Sequence, residues 1–379
     1  MRQRGRRIPP FVVVLVAVAL VAGLVALASA RYAGSSSSAA PSHAGDTGRA
    51  GAAHRDRANG HSTPSTAPAG STPMPTTSTT PTTTPATSTA TSTPSAPPLG
   101  VYAGPGATAT AATVDEQLGG RVADAFDFLP YGTWTTLTDP SWLADDWRGS
   151  SFDLILGVPM LPTAGGTLAE GAAGQFDGQF AGLAERLVAD GLGGSTLLVG
   201  WQPDDPGTPW SVGSTAAAAD YVAFWDRIES TMATVTGAHF VFEWDAGDAR
   251  TSPIRPTETY PGDAAVGVVA TDAFDTGYRN LPATAQWTAL LGQPYGPPWT
   301  ADFAAAHHKP MALAMWGAVP VAAGGGGDNP TFAVQLLRWA AAAHLVDCVL
   351  WDYGDWATMS GDFPATAAAV RQWFAPSAG

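Results

Sequence analysis

The chain has 379 residues, with 18 Lys/Arg against 32 Asp/Glu, 14 tryptophans and a single cysteine. The charge is unevenly spread, since Leu99–Gly379 holds 30 of the acids and only 10 of the bases, a balance of −20. That excludes non-specific nucleic-acid binding, which depends on cations set against phosphates, and suits a neutral partner such as an uncharged polysaccharide better than a polyanion.

The first 31 residues read as a signal-anchor or a signal peptide. Arg2, Arg4, Arg6 and Arg7 precede Phe11–Ala30, which is uncharged and almost wholly aliphatic. Twenty such residues are long enough to span a bilayer as a helix, with the arginines on the cytoplasmic side. Ala28-Ser29-Ala30 also fits a cleavage site. Either way the rest of the chain is exported, membrane-anchored through residues 11–30 or secreted. No cysteine lies nearby, so a lipid-modified cysteine is excluded.

Residues 32–98 are rich in Ser, Thr and Pro, and no aromatic residue lies between Tyr32 and Tyr102. Such a segment buries too little apolar surface to offset its chain entropy and is expected to be disordered, a proline-stiffened spacer.

Residues 99–379 are long enough for one large core and contain every tryptophan. Eight short β-rich runs are expected at Gly100–Ala103, Ala125–Leu129, Phe152–Val158, Ser195–Trp201, His239–Trp244, Ala265–Thr271, Pro310–Met315 and Val346–Trp351. Helical patterns fall between them at Gly174–Asp190, Thr215–Thr234, Ala301–His307, Pro330–Ala343 and Ala365–Phe374. Asn329 and Pro330 make a good helix start, a capping side chain followed by proline in the first turn. Eight strands alternating with helices predict an α/β fold, a (β/α)8 TIM barrel, with an open doubly wound sheet as the alternative that periodicity does not exclude. Cys348, in the apolar run Leu345–Leu350, reads as a buried strand residue.

In a barrel, chemistry belongs to the loops after the strands. These strand ends are rich in aromatic residues and carboxylates: Trp201-Gln-Pro-Asp-Asp205, Glu243-Trp-Asp245, Thr271-Asp-Ala-Phe-Asp275, Met315-Trp-Gly317 and Trp351-Asp-Tyr-Gly-Asp-Trp356. Trp201, Trp210, Trp244, Trp316, Trp351, Tyr353 and Trp356 are the candidate sugar-stacking surfaces, with carboxylates to accept from hydroxyls. The competing reading makes each tryptophan ordinary core.

Four segments then resemble glycoside hydrolase family 26, the β-mannanase-like barrels. They are Leu99-Gly-Val-Tyr-Ala-Gly-Pro-Gly106, Tyr260-Pro-Gly-Asp263 with Val266–Asp275, His308–Gly317, and Gly325-Gly-Gly-Asp-Asn-Pro330. The resemblance implies a retaining glycosidase with a glutamate acid/base ending strand four and a glutamate nucleophile ending strand seven. It places Gln202 and Met315 at those positions, and Phe274 where a tyrosine would orient the nucleophile. An amide cannot donate a proton as an acid and recover it, and a thioether cannot form a glycosyl ester. Pro203 is expected to hold Gln202 extended.

Three functions are therefore set side by side. The first is an exported pseudo-glycosidase that binds a mannan-like polysaccharide without cleaving it. The second is an active glycoside hydrolase using displaced acids, with Asp204, Asp205, Glu243 and Asp245 as candidates. The third is a structural surface protein without sugar affinity. No cofactor or metal is implied. Gly104-Pro-Gly106 with Asp127 mimics a dinucleotide fingerprint only weakly, and the adjacent His307 and His308 do not share a helix face.

Overall fold

The computed structural model describes residues 96–247, 254–276 and 281–375. The apolar span 11–30 and the linker 32–98 lie almost wholly outside these. Among the described residues no helix is long and apolar enough to cross a membrane.

The sheet is a closed barrel of eight parallel strands in sequence order. They are β1 (Leu99–Tyr102), β2 (Val122–Phe128), β3 (Asp153–Val158), β4 (Thr196–Val199), β5 (Val241–Asp245), β6 (Val268–Phe274), β7 (Met311–Gly317) and β8 (Asp347–Trp351). Pairing of β1 with β8 at Val101–Leu350 and Tyr102–Trp351 completes the ring. The (β/α)8 expectation is met and the open sheet is excluded.

The helices wrap the outside: α1 (Thr108–Gln117), α2 (Trp134–Thr138), α3 (Ser141–Trp147), α4 (Leu168–Ala172), α5 (Asp177–Ala189), α6 (Thr215–Ala233), α7 (Ala283–Leu291), α8 (Pro297–Ala306), α9 (Pro330–Ala343) and α10 (Pro364–Phe374). The start of α9 is as expected. Asn329 Oδ1 accepts from the Phe332 N–H at 3.1 Å, and Pro330 needs no donor in the first turn.

The expected boundaries shift where local chemistry intervenes. Strand four stops at Val199 rather than Trp201, because Gly200 turns to φ 59° after its N–H bonds Val158 O at 3.0 Å. Strand six begins at Val268, because Ala265 and Val266 close a turn onto Gly262 O. The helix expected over Gly174–Asp190 is Asp177–Ala189, and a short helix that was not expected, Leu168–Ala172, precedes it across the turn at Gly174 with φ 83°. Helix α1 was not expected, since only Ala111 and Val114 are buried in its Thr/Ala-rich sequence and it carries no apolar stripe.

Strand alternation sorts the core into a lining and a coat. Along β5, Glu243 and Asp245 face inward, and Trp244 faces outward against Tyr260 and Phe303, ring centroids 5.0 and 5.8 Å away. At the entry end of the strands an acidic group sits inside the barrel. Gly100, having no side chain, leaves room for the Asp347 carboxylate, which a Cβ there would approach to 3.1 Å.

Burial, and then the neighbouring charges of Asp347, Asp245 and Asp124, pushes Glu243 well above the usual carboxylate range. Asp347 is raised by burial and by Asp124, and Asp124 is raised to about 6 by burial and by Asp153. Acids with folded-state pKa values above the unfolded value of about 4 contribute fully below that value, and the contribution is lost as pH rises through the folded pKa. Replacing Asp124 or Asp347 with asparagine should therefore flatten the pH dependence. Relative to wild type, each variant should gain urea resistance at pH 8 and gain little at pH 4. Equal shifts at both pH values would show that these carboxyls are ionised in the fold.

Candidate functional site

The exit of β4 is fixed by three aromatic donors. Trp225 Nε1 donates to Val199 O at 3.1 Å, Tyr221 Oη to Gly200 O at 2.8 Å, and Trp210 Nε1 to Trp201 O at 2.8 Å. Tyr221 and Trp225 lie one turn apart on α6, so one helix face satisfies two successive carbonyls that have left the sheet. The Val212 N–H then closes the loop onto Pro203 O at 2.7 Å.

Gln202 follows in the left-handed region, at φ 47°, not in the extended geometry expected before Pro203. Two bonds account for the departure. Its backbone N–H donates to Asp245 Oδ2 at 2.9 Å, and its side-chain Nε2 donates to Asp272 Oδ2. Left-handed geometry costs a non-glycine residue about 1–2 kcal/mol, and two buried bonds to carboxylates offset it, at about 1.5–3 kcal/mol each. Gln202 Oε1 is buried and accepts no hydrogen bond among the described residues.

Met315 is fully buried on β7 and pairs in register with Asp272. The three positions singled out by the family pattern thus end neighbouring parts of one barrel mouth. Gln202 and Met315 are linked through Asp272, and Phe274 sits two residues farther along β6.

The remaining carboxylates are already engaged. Asp245, fully buried, accepts from Gln202 and from the Gly247 N–H at 2.8 Å. Asp205, also fully buried, caps its own turn through the Gly207 N–H at 2.8 Å and leaves Oδ2 without a hydrogen bond among the described residues. Asp204 packs against Gly247, where any side chain would strike it. Glu243 belongs to the acidic group inside the barrel and not to the mouth. Of these four candidates only Asp204 is more than marginally exposed.

The seven aromatic candidates divide. Trp244 faces the helix layer, and Trp316, adjacent to Met315 on β7, donates to Cys348 O on β8 at 3.3 Å. Neither reaches the mouth. Trp201, Trp210, Trp351 and Trp356 do gather there, but as packing. Trp201 meets Trp210 at 4.7 Å and Phe128 at 4.9 Å; Phe274 meets Trp356 at 5.4 Å and Trp351 at 6.0 Å. Trp201, Trp210 and Trp351 are 0% exposed and Trp356 3%. These rings fill the mouth and present no open face for a sugar, so the reading of tryptophan as core describes their placement. Tyr353 alone is partly exposed, crossing Gly104, where a side chain would collide with its ring.

Sequence reasoning did not single out Tyr102, Phe128 and Tyr131, which complete the plug. Inward alternation along β1 and β2 was the available signal. Asp127, considered only as a false dinucleotide partner, is instead a clamp. It accepts from the Gly106 N–H and from Trp147 Nε1, both at 2.8 Å, and burial pushes its carboxyl up to about 7 against those bonds.

With this geometry in view, the fold has clear counterparts. An endo-β-1,4-mannanase double mutant from Cellulomonas fimi aligns at a TM-score of 0.55 and 16% identity, over 74% of this chain and 71% of that one. A GH26 β-mannanase from Bacteroides ovatus aligns at 0.51 and 15%, over 74% and 89%. The catalytic domain of a GH26 endo-β-1,4-mannanase from Bacillus sp. JAMB-750 aligns at 0.50 and 12%, over 69% and 80%. The fold is that of the family 26 mannanase barrel. No family model and no curated protein matches the chain by sequence.

Replacing Trp201 with alanine should destabilise the domain by about 3–5 kcal/mol, as for a buried tryptophan, read as a lower urea midpoint. An unchanged midpoint would mean the ring is a surface platform. Replacing Asp245 with alanine strands two buried N–H groups, each costing about 1–3 kcal/mol. That variant should lose more stability than Asp245→Asn, which keeps an acceptor oxygen.

Proposed function

We propose that the chain is an exported, catalytically silent relative of the family 26 glycosidases that binds a neutral, mannan-like polysaccharide. In this reading residues 11–30 direct or anchor it, and residues 32–98 hold the barrel away from the membrane. The observation that carries the proposal is the mouth itself. At the ends of β4 and β7, where a retaining glycosidase needs two carboxylates about 5–5.5 Å apart, the chain has Gln202 and Met315.

Supporting it, Phe274 lacks the hydroxyl that would orient a nucleophile, and packed tryptophans occupy the space above. The barrel likeness to β-mannanases suggests the ligand class, and the balance of −20 over residues 99–379 favours a neutral glycan over a charged one. An amide at position 202 bonds Asp272 without ionising, so the polar contact of the mouth survives while acid catalysis does not.

Incubated with mannan, glucomannan or β-glucan, the purified chain should release reducing ends no faster than buffer. Sedimentation with insoluble mannan should still deplete it from solution. The double variant Gln202→Glu with Met315→Glu tests the same geometry from the other side: with the tryptophan plug in place it should release no reducing ends either, and a gain of hydrolysis would show that the mouth admits a glycan. Turnover by the unmodified chain, abolished by Asp204→Ala or Asp205→Ala, would overturn the reading in favour of displaced acids.

A further inference from the structure

Beside the plugged mouth, the C-terminal face carries an open cavity of about 630 Å3 between the loops that follow β7 and β8. That volume suits two or three sugar rings better than a single ion. One wall is the turn Val321–Ala323, where Val321 is 59% exposed, an unusual position for a large aliphatic side chain. Trp356 lies on the opposite side. It is 3% exposed, touches Phe274 of the plug, and its indole N–H meets no acceptor among the described residues.

Three aspartates line the cavity and no basic residue does. They are not equivalent. Asp328 is committed to the fold, since its carboxylate accepts from the Ala365 and Thr366 N–H groups at 2.9 and 2.7 Å and from Thr366 Oγ1 at 2.8 Å, capping α10. Asp355 and Asp362 are exposed at the rim and enter no ion pair among the described residues. The cap at Asp328 ties the β7 loop to the start of α10 and so holds the two rims in place.

We propose that this groove, and not the barrel mouth, is where the domain takes a neutral oligosaccharide. The proposal rests on the reading of the domain as a carbohydrate binder and relocates the contact. A pyranose packs its apolar face on Val321, the Trp356 indole N–H on the far wall donates to a ring or hydroxyl oxygen, and sugar hydroxyls donate to Asp355 and Asp362. Ionised carboxylates only accept, so they match a polyol and reject a sugar acid. The aromatic plug then has a second use, because the packing that fills the mouth fixes the ring lining the groove.

The test is calorimetric titration of the full chain with mannohexaose, cellohexaose and xylohexaose, and separately with spermidine. The variants are Asp355→Asn with Asp362→Asn, and Ala322→Trp, which fills the groove; Glu116→Gln on α1 is the charge control. The expected result is binding of at least one hexaose that weakens tenfold or more in both groove variants and is unchanged in the control. Hexaose binding that survives both groove variants overturns the groove and leaves carbohydrate binding standing. No hexaose bound by the unmodified chain overturns both. Binding of spermidine alone, lost in the aspartate variant, overturns the sugar assignment in favour of a polyamine site.

Discussion

The upper half of the barrel depends on how the chain leaves β4. Beyond Val199 the backbone departs from the sheet, and its polar groups need partners inside an apolar mouth. Trp225, Tyr221 and Trp210 take three successive carbonyls, and Asp245 takes the Gln202 N–H. Three of these partners are large aromatic side chains, so satisfying the backbone also fills the space. The plug of tryptophans is thus coupled to the hydrogen bonding of a single loop. Disturbing either one disturbs the other.

The acids divide along the barrel axis by a related logic. At the entry end, Asp124, Glu243 and Asp347 enter no ion pair among the described residues, and their raised pKa values follow from burial and then from neighbouring acids, Asp153 beside Asp124 included. At the exit end, carboxylates are held by donors: Asp127 by Gly106 and Trp147, Asp352 by Met359 and Ser360 N–H groups, Asp275 by Asn329 at 2.9 Å. Hydrogen bonding to the charged form opposes the penalty of burial; repulsion adds to it. The exit-end acids therefore serve as anchors for loops, which explains why so acidic a domain can close its face with carboxylates and still pack.

The barrel was legible in the sequence because eight apolar runs and the helices between them have different periods, and because Asn329-Pro330 starts a helix by local chemistry alone. Gln202, Phe274 and Met315, which the family resemblance singles out, follow or end recognisable strands, and the fold brings them near one another through Asp272. What escaped was direction. Nothing local says that Trp244 faces helices while Glu243 faces the barrel axis, or that Trp201 is capped by Phe128 from a distant strand. Burial of an aromatic side chain is a property of what packs over it, and the covering rings came from β1, β2 and the loop after β2. Gln202 shows the limit most sharply. Proline at 203 argues for an extended residue, and two tertiary bonds override that preference.

Those bonds also give a physical reason for an amide at this position. A glutamate in place of Gln202 would set a second carboxyl directly against Asp272 in a buried site. Two carboxylates in hydrogen-bond contact cannot both ionise cheaply, so one would hold a proton, which is how a general acid is made. In a working glycosidase that tension is relieved by passing the proton to a leaving group. The neighbouring Met315 thioether, in register with Asp272, takes up no proton, and a raised pKa at position 202 would cost stability as pH rises. Glutamine removes the repulsion, keeps the donor to Asp272, and needs no proton. Beside the Asp272 carboxylate, itself in register with the Met315 thioether, position 202 is therefore more stable as a neutral amide than as an acid.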